Sequence, residues 1–75
     1  MSSIPIPSPI HYELPLQILE RQTLHSVAQQ PTQRQLAQEL AVTLRKALAI
    51  QKRLEESCAQ SQIEVDHRWS VERKS

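Results

Sequence analysis

The longest run of regular patterning lies in the second half of the chain. On a wheel of about 100° per residue, Leu36, Leu40, Leu44, Ala47, Gln51, Leu54 and Cys58 form one stripe. Ala37, Ala41 and Leu48 widen it on one side and Ile50 on the other, while Arg34, Glu39, Arg45, Lys46, Lys52, Arg53 and Glu56 cover the opposite face. No Gly or Pro interrupts this segment, so the pattern predicts an amphipathic helix over residues 33–61. Thr32-Gln33-Arg34-Gln35 matches a capping box just after Pro31, and Leu36 stands where it could staple back on that proline.

A second helical pattern precedes it. Leu16, Leu19, Leu24 and Val27 recur at helical spacing, flanked by Leu14 and Ile18, which predicts a helix over residues 10–30. Ser8-Pro9 reads as an N-cap followed by Pro at the first helical position. Pro15 leaves two readings: a kink if the helix begins at Pro9, or a harmless first-turn residue if it begins near Tyr12.

At the ends the period changes. Pro5, Pro7 and Pro9 alternate with Ile4, Ile6 and Ser8, which forbids a helix and predicts an extended arm over residues 1–9. After residue 61, Ile63, Val65, Trp69 and Val71 alternate with Glu64, Asp66, Arg68 and Ser70, an extended pattern over a tail of residues 62–75 whose last four are expected to be solvated. A lone strand must pair or pack. The expected fold is therefore all-α: an antiparallel helical hairpin of residues 10–30 and 33–61 with two extended arms, and a dimeric four-helix bundle as the assembly it allows. A helix of about 29 residues spans about 43 Å and one of about 20 residues about 30 Å. The far end of the second helix, near Leu54 and Cys58, must then be covered by the proline arm, the tail or a second chain.

Composition narrows the function. The chain has 75 residues and no Gly, so it has neither a phosphate-cradling glycine loop nor a dinucleotide-binding fingerprint. A single Cys excludes an internal disulfide and any multi-Cys zinc site. Nine basic residues face eight acidic ones, for a net charge of +1, too even for a domain held to polyanions by bulk charge. No run of apolar residues is long enough to span a membrane, and residues 1–9 do not resemble a signal peptide, so the expected compartment is cytoplasmic.

Candidate chemistry is sparse. His11, His25, His67 and Cys58 are the soft or imidazole ligands, and no two are spaced i, i+3 or i+4. Cys58 with His67 is the one conceivable nucleophile–base pair, but Cys58 sits on the apolar stripe where a small hydrophobe is expected. No catalytic, cofactor or metal residues are assigned, and a hairpin offers no concave site for a small-molecule substrate. The surplus apolar positions point instead to a protein partner or a second copy of the chain. Ile4, Ile6, Val42, Ile50, Leu54, Val65 and Trp69 are the interface candidates, with Trp69 first because Trp is enriched at interface centres. The alternative is a nucleic-acid-associated regulator using Arg34, Arg45, Lys46, Lys52 and Arg53, although no stacking aromatics accompany that basic face.

Several stretches carry a family resemblance. Ile4-Pro5-Ile6-Pro7-Ser8-Pro9-Ile10-His11-Tyr12-Glu13-Leu14, Leu19-Glu20-Arg21-Gln22-Thr23, Leu44-Arg45-Lys46-Ala47-Leu48 and Asp66-His67-Arg68-Trp69-Ser70 together resemble a family of small cyanobacterial proteins of unknown function. The resemblance implies a host type and carries over no chemistry and no functional residues. The leading expectation is a non-enzymatic interaction module, a small accessory or regulatory subunit that self-associates or docks on a larger assembly.

Overall fold

The computed structural model describes residues 3–71. Residues 1–2 of the predicted arm and the predicted solvated end, Glu72-Arg73-Lys74-Ser75, lie outside them. Strand β1 (Ile4–Pro7) leads into helix α1 (Ile10–Ile18), a π turn (Leu19–Thr23) and a short helix α2 (Leu24–Ser26). The long helix α3 (Pro31–Gln60) follows, then strand β2 (Val65–Arg68).

The all-α expectation is corrected first. The two extended ends are not independent arms: β1 and β2 pair as a two-stranded parallel sheet, with Ile4 opposite Val65 and Pro7 opposite Arg68. The proline alternation makes this possible. The Ile4 N–H donates to the Glu64 carbonyl and the Ser8 N–H to the Arg68 carbonyl, both at 2.9 Å. In a strand of period two, Ile4, Ile6 and Ser8 turn their donors toward β2, and Pro5 and Pro7 fall on the outer edge, where a missing N–H breaks no ladder bond. That edge offers no donors at Pro5 and Pro7 to a further strand.

The helical hairpin and the four-helix bundle are corrected with it. The first helical segment, residues 10–26, is short and broken by the π turn, so only one long helix is present. A strand pair, not a helix, occupies the α3 surface around Gln51 and Glu55. The molecule measures 53 × 30 × 16 Å, elongated along its long helix. The π turn also sets how Leu19 and Leu24 are placed within the predicted helical series. The Leu24 N–H reaches back five residues to the Leu19 carbonyl, and this wider turn brings side chains five apart toward one side. Leu19 is buried and Leu24 half-buried.

Helix ends differ from the predicted caps. Pro15 lies inside α1, whose first residue is Ile10, and the Ser8 side chain does not cap it. Helix α3 begins at Pro31 itself, after an extended Gln30, with no side-chain cap bond from Thr32. Pro31 is therefore the first residue of the helix rather than the residue before its cap, and the capping box is not made. The C-terminus closes as a Schellman motif: the Ile63 N–H donates to the Cys58 carbonyl (2.8 Å) and the Gln62 N–H to the Ala59 carbonyl (3.1 Å). Gln62 takes the left-handed position at φ 58°, which a chain without Gly must fill with another residue.

The core is thin. Its buried apolar members are Ile6, Leu19, Ala37, Ala41 and Cys58. Helix α3 thus docks through its Ala37–Ala41 side, with Leu44 and Leu48 half-buried, while Leu36, Leu40, Ile50 and Leu54 remain exposed. The single predicted stripe is split between a covered and an uncovered half.

Candidate interaction surface

Two features of the surface are built with care. The first is the junction of sheet and long helix. Gln51, only 5% exposed, donates its side-chain N–H to the Pro7 carbonyl at 2.7 Å and to the Glu55 carboxylate at 3.1 Å. His67 of β2 places Nε2 3.1 Å from the same carboxylate oxygen. Foremost the Gln51 amide, then the His67 hydrogen bond, hold the Glu55 carboxyl below its usual range; burial opposes them, and the charges of His67 and Lys52 add less. A buried glutamine on an apolar stripe is thus the bolt that fixes β1, and through Glu55 also β2, to α3. On the strand itself, Arg68 Nε donates to Asp66 at 2.6 Å.

The second feature is Trp69, just past β2. The residue is 70% exposed, yet its ring is held in place. The His11 ring meets it edge-on, with centroids 5.8 Å apart and planes at 65°. His11 also sets Nε2 2.7 Å from the Trp69 carbonyl oxygen and Nδ1 3.0 Å from that of Ser8. Next to this ring lies an open cleft of about 640 Å³, lined among others by Pro5, Pro7, His11, Arg68 and Trp69. The expectation of no concave site is corrected: pairing the two arms creates one, of a size common for ligand sites.

The remaining candidates are distributed as follows. Ile6 is buried in the sheet and also lines the cleft, and Val65 is half-buried opposite Ile4. Ile4, Val42, Ile50 and Leu54 are exposed. Ile50 and Leu54 share one line of α3 with Leu36 and Leu40, and Val42 lies apart from it, on the charged side. Among the basic residues, Arg45 forms a salt bridge with Glu20 of the π turn. Arg34, Arg45 and Lys52 share one direction on the helix and Lys46 and Arg53 another, so the five do not form a single ridge. Cys58 is buried, and His67 is bonded to Glu55. Among the described residues, no three His, Cys, Asp or Glu side chains come together as metal ligands, and no helix is long and apolar enough to cross a membrane.

Sequence reasoning singled out Trp69 but missed its clamp, His11, and the Gln51–Glu55–His67 relay. Gln51 carried a signal, being a polar residue in line with leucines. His11 carried none beyond standing three residues after Ser8.

The architecture is that of a small helix-and-strand-pair protein. Over residues 1–70 the chain matches the family described as a family of unknown function, DUF5340, and it belongs to that family. It is 54% identical over 71 residues to an "Uncharacterized 9.3 kDa protein in soluble hydrogenase 5'region" from the cyanobacterium Anabaena cylindrica, covering 95% of this chain and 87% of that protein. The family is thus a small cyanobacterial one of unknown function. No solved structure matches the chain.

Proposed function

We propose that this chain is a non-enzymatic protein–protein interaction module, a small accessory or regulatory subunit that acts by binding another polypeptide. The observation that carries this reading is the placement of Trp69: a residue 70% exposed, its ring braced by His11, beside a cleft lined by prolines and a cation. A flexible tryptophan on a surface would lose much freedom on binding. One already oriented loses less, and a rigid exposed aromatic is the kind of group that anchors an interface.

The experiment is affinity capture of the full chain from native cyanobacterial lysate, with and without nuclease, beside the Trp69→Ala variant. The reading expects a partner protein in stoichiometric amount that survives nuclease and is lost with Trp69→Ala. Recovery of only nuclease-sensitive material would replace it with the nucleic-acid reading and the basic residues of α3. Circular dichroism of the variant separates loss of the anchor from loss of the fold.

A further inference from the structure

The uncovered half of α3 forms a line of its own along the helix. Leu36, Leu40, Thr43, Ala47, Ile50 and Leu54 follow one another at steps of four, three, four, three and four residues. That is an unbroken heptad seam, about 27 Å long at 1.5 Å per residue. The five steps cover eighteen residues, 3.6 per turn, so the six positions lie along one line of the helix. The four large members are each 46–58% exposed. Thr43 adds no unpaired polar group, because its hydroxyl donates to the Glu39 carbonyl at 2.8 Å.

The flanks of the seam select the occupant. On one side stand Ala37, Leu44, Gln51 and Cys58, all buried or half-buried within the protomer. On the other stand Glu39, Lys46 and Arg53, exposed and charged. A second α3 laid antiparallel, with Leu36 against the partner's Leu54 and Leu40 against the partner's Ile50, brings the small residues Thr43 and Ala47 together at the centre. The same alignment sets Glu39 beside the partner's Arg53 twice, by symmetry, with Lys46 near its own copy at the axis. A parallel alignment would face these charges with Leu44, Gln51 and Cys58 and satisfy none of them.

We propose that α3 pairs with α3 of a second copy of this chain as an antiparallel two-stranded coiled coil through Leu36, Leu40, Ala47, Ile50 and Leu54. This deepens the interaction reading above, on which it rests, by naming the partner for one surface.

Sedimentation equilibrium of the full chain from micromolar to millimolar concentration tests it. The wild type should fit a monomer–dimer equilibrium. Leu40→Glu should give the monomer mass with the helical circular dichroism retained, because this position is exposed in the monomer. Orientation is read from charge. Glu39→Arg should raise the dissociation constant about tenfold or more, by turning two attractions into two repulsions, and adding Arg53→Glu should restore it to within about threefold. A wild type that stays monomeric at millimolar concentration overturns the proposal. So does a dimer indifferent to Leu40→Glu, or one in which the charge swap fails to rescue. If that monomer still captures a partner through Trp69, the coiled coil fails while the interaction reading stands. If it captures none, both fail.

Discussion

Replacing Gln51 by Met is the sharpest probe of how the sheet is attached. Met has the length and helix propensity of Gln and no hydrogen-bonding amide. The change therefore leaves α3 intact and removes two bonds, the one to the Pro7 carbonyl and the one to Glu55. A polar group left without its partner in a nearly buried site costs about 1–3 kcal/mol, and added apolar contact returns part of that, so the expected net loss is about 1–2 kcal/mol. In a domain of this size that lowers the thermal midpoint by roughly 4–15 °C. The second readout is pH. Glu55 has its folded pKa lowered from 4.5, chiefly by Gln51. A carboxylate with a depressed folded value contributes stability that is present above the unfolded value and lost as pH falls through the folded one. In Gln51→Met the folded value moves back toward 4.5. The gap between wild type and variant should therefore be widest near neutral pH and narrow as pH drops below 4.5. What remains at low pH is the unsatisfied Pro7 carbonyl. Chemical denaturation at neutral and acid pH measures both. A variant as stable as wild type, or a gap constant across the acid range, would refute the relay from Pro7 through Gln51 to Glu55.

Three further outcomes follow from single residues. Gln62→Gly should stabilise the chain by about 0.5–1 kcal/mol, since relief of a left-handed backbone costing about 1–2 kcal/mol is partly offset by the flexibility of glycine in the unfolded state; denaturant titration showing a loss would mean that the Schellman closure is not as described. His11→Ala should abolish most of the near-ultraviolet circular dichroism of the single Trp and increase acrylamide quenching of its fluorescence, because the edge-on ring and the bond to the Trp69 carbonyl go together; an unchanged spectrum would mean that Trp69 is not clamped. Cys58, 4% exposed, should react with a thiol reagent only as fast as the chain opens, so its rate should rise steeply in denaturant; rapid reaction in the native protein would place it at the surface.

The sequence displayed its local periods clearly and its long-range pairing poorly. The helical stripe of α3 and the two-residue alternation at each end were legible because each is written in consecutive residues. That the two alternating ends join across more than fifty intervening residues was not legible. The Ile-Pro alternation held the clue in the form of donors on one edge only, but this becomes meaningful only beside a partner strand. The π turn escaped because Leu16, Leu19, Leu24 and Val27 were read as one series at helical spacing, and the wider turn between Leu19 and Leu24 was not considered. At the candidate site Trp69 stood out by residue type, while Gln51 and His11 act through carbonyls of distant segments that no local pattern announces. The apolar arc of α3 was read as one stripe because a wheel shows which side chains share a face and not how much of that face a short first helix can cover.

That uncovered arc bears on how the chain stays folded at all. Among the described residues no side chain is fully buried, and two of the five buried apolar residues are alanines. A small core of this kind supplies only about 3–5 kcal/mol at best. Leu36, Leu40, Ile50 and Leu54 are the largest block of apolar surface left to bury, and they lie on the helix that carries the whole fold. If they pair with a second copy, association adds to the stability of the folded monomer, and where the dimer predominates stability must depend on concentration. Each tenfold rise in protein then adds about 0.7 kcal/mol per chain, or roughly 3–6 °C in thermal midpoint. Leu40→Glu should lower the midpoint and flatten that dependence, because it removes the pairing without disturbing the Ala37–Ala41 side that docks within the protomer. A wild-type midpoint that stays fixed across a hundredfold range of concentration would show that the thin core suffices alone, and that α3 keeps its seam open for some purpose other than its own copy.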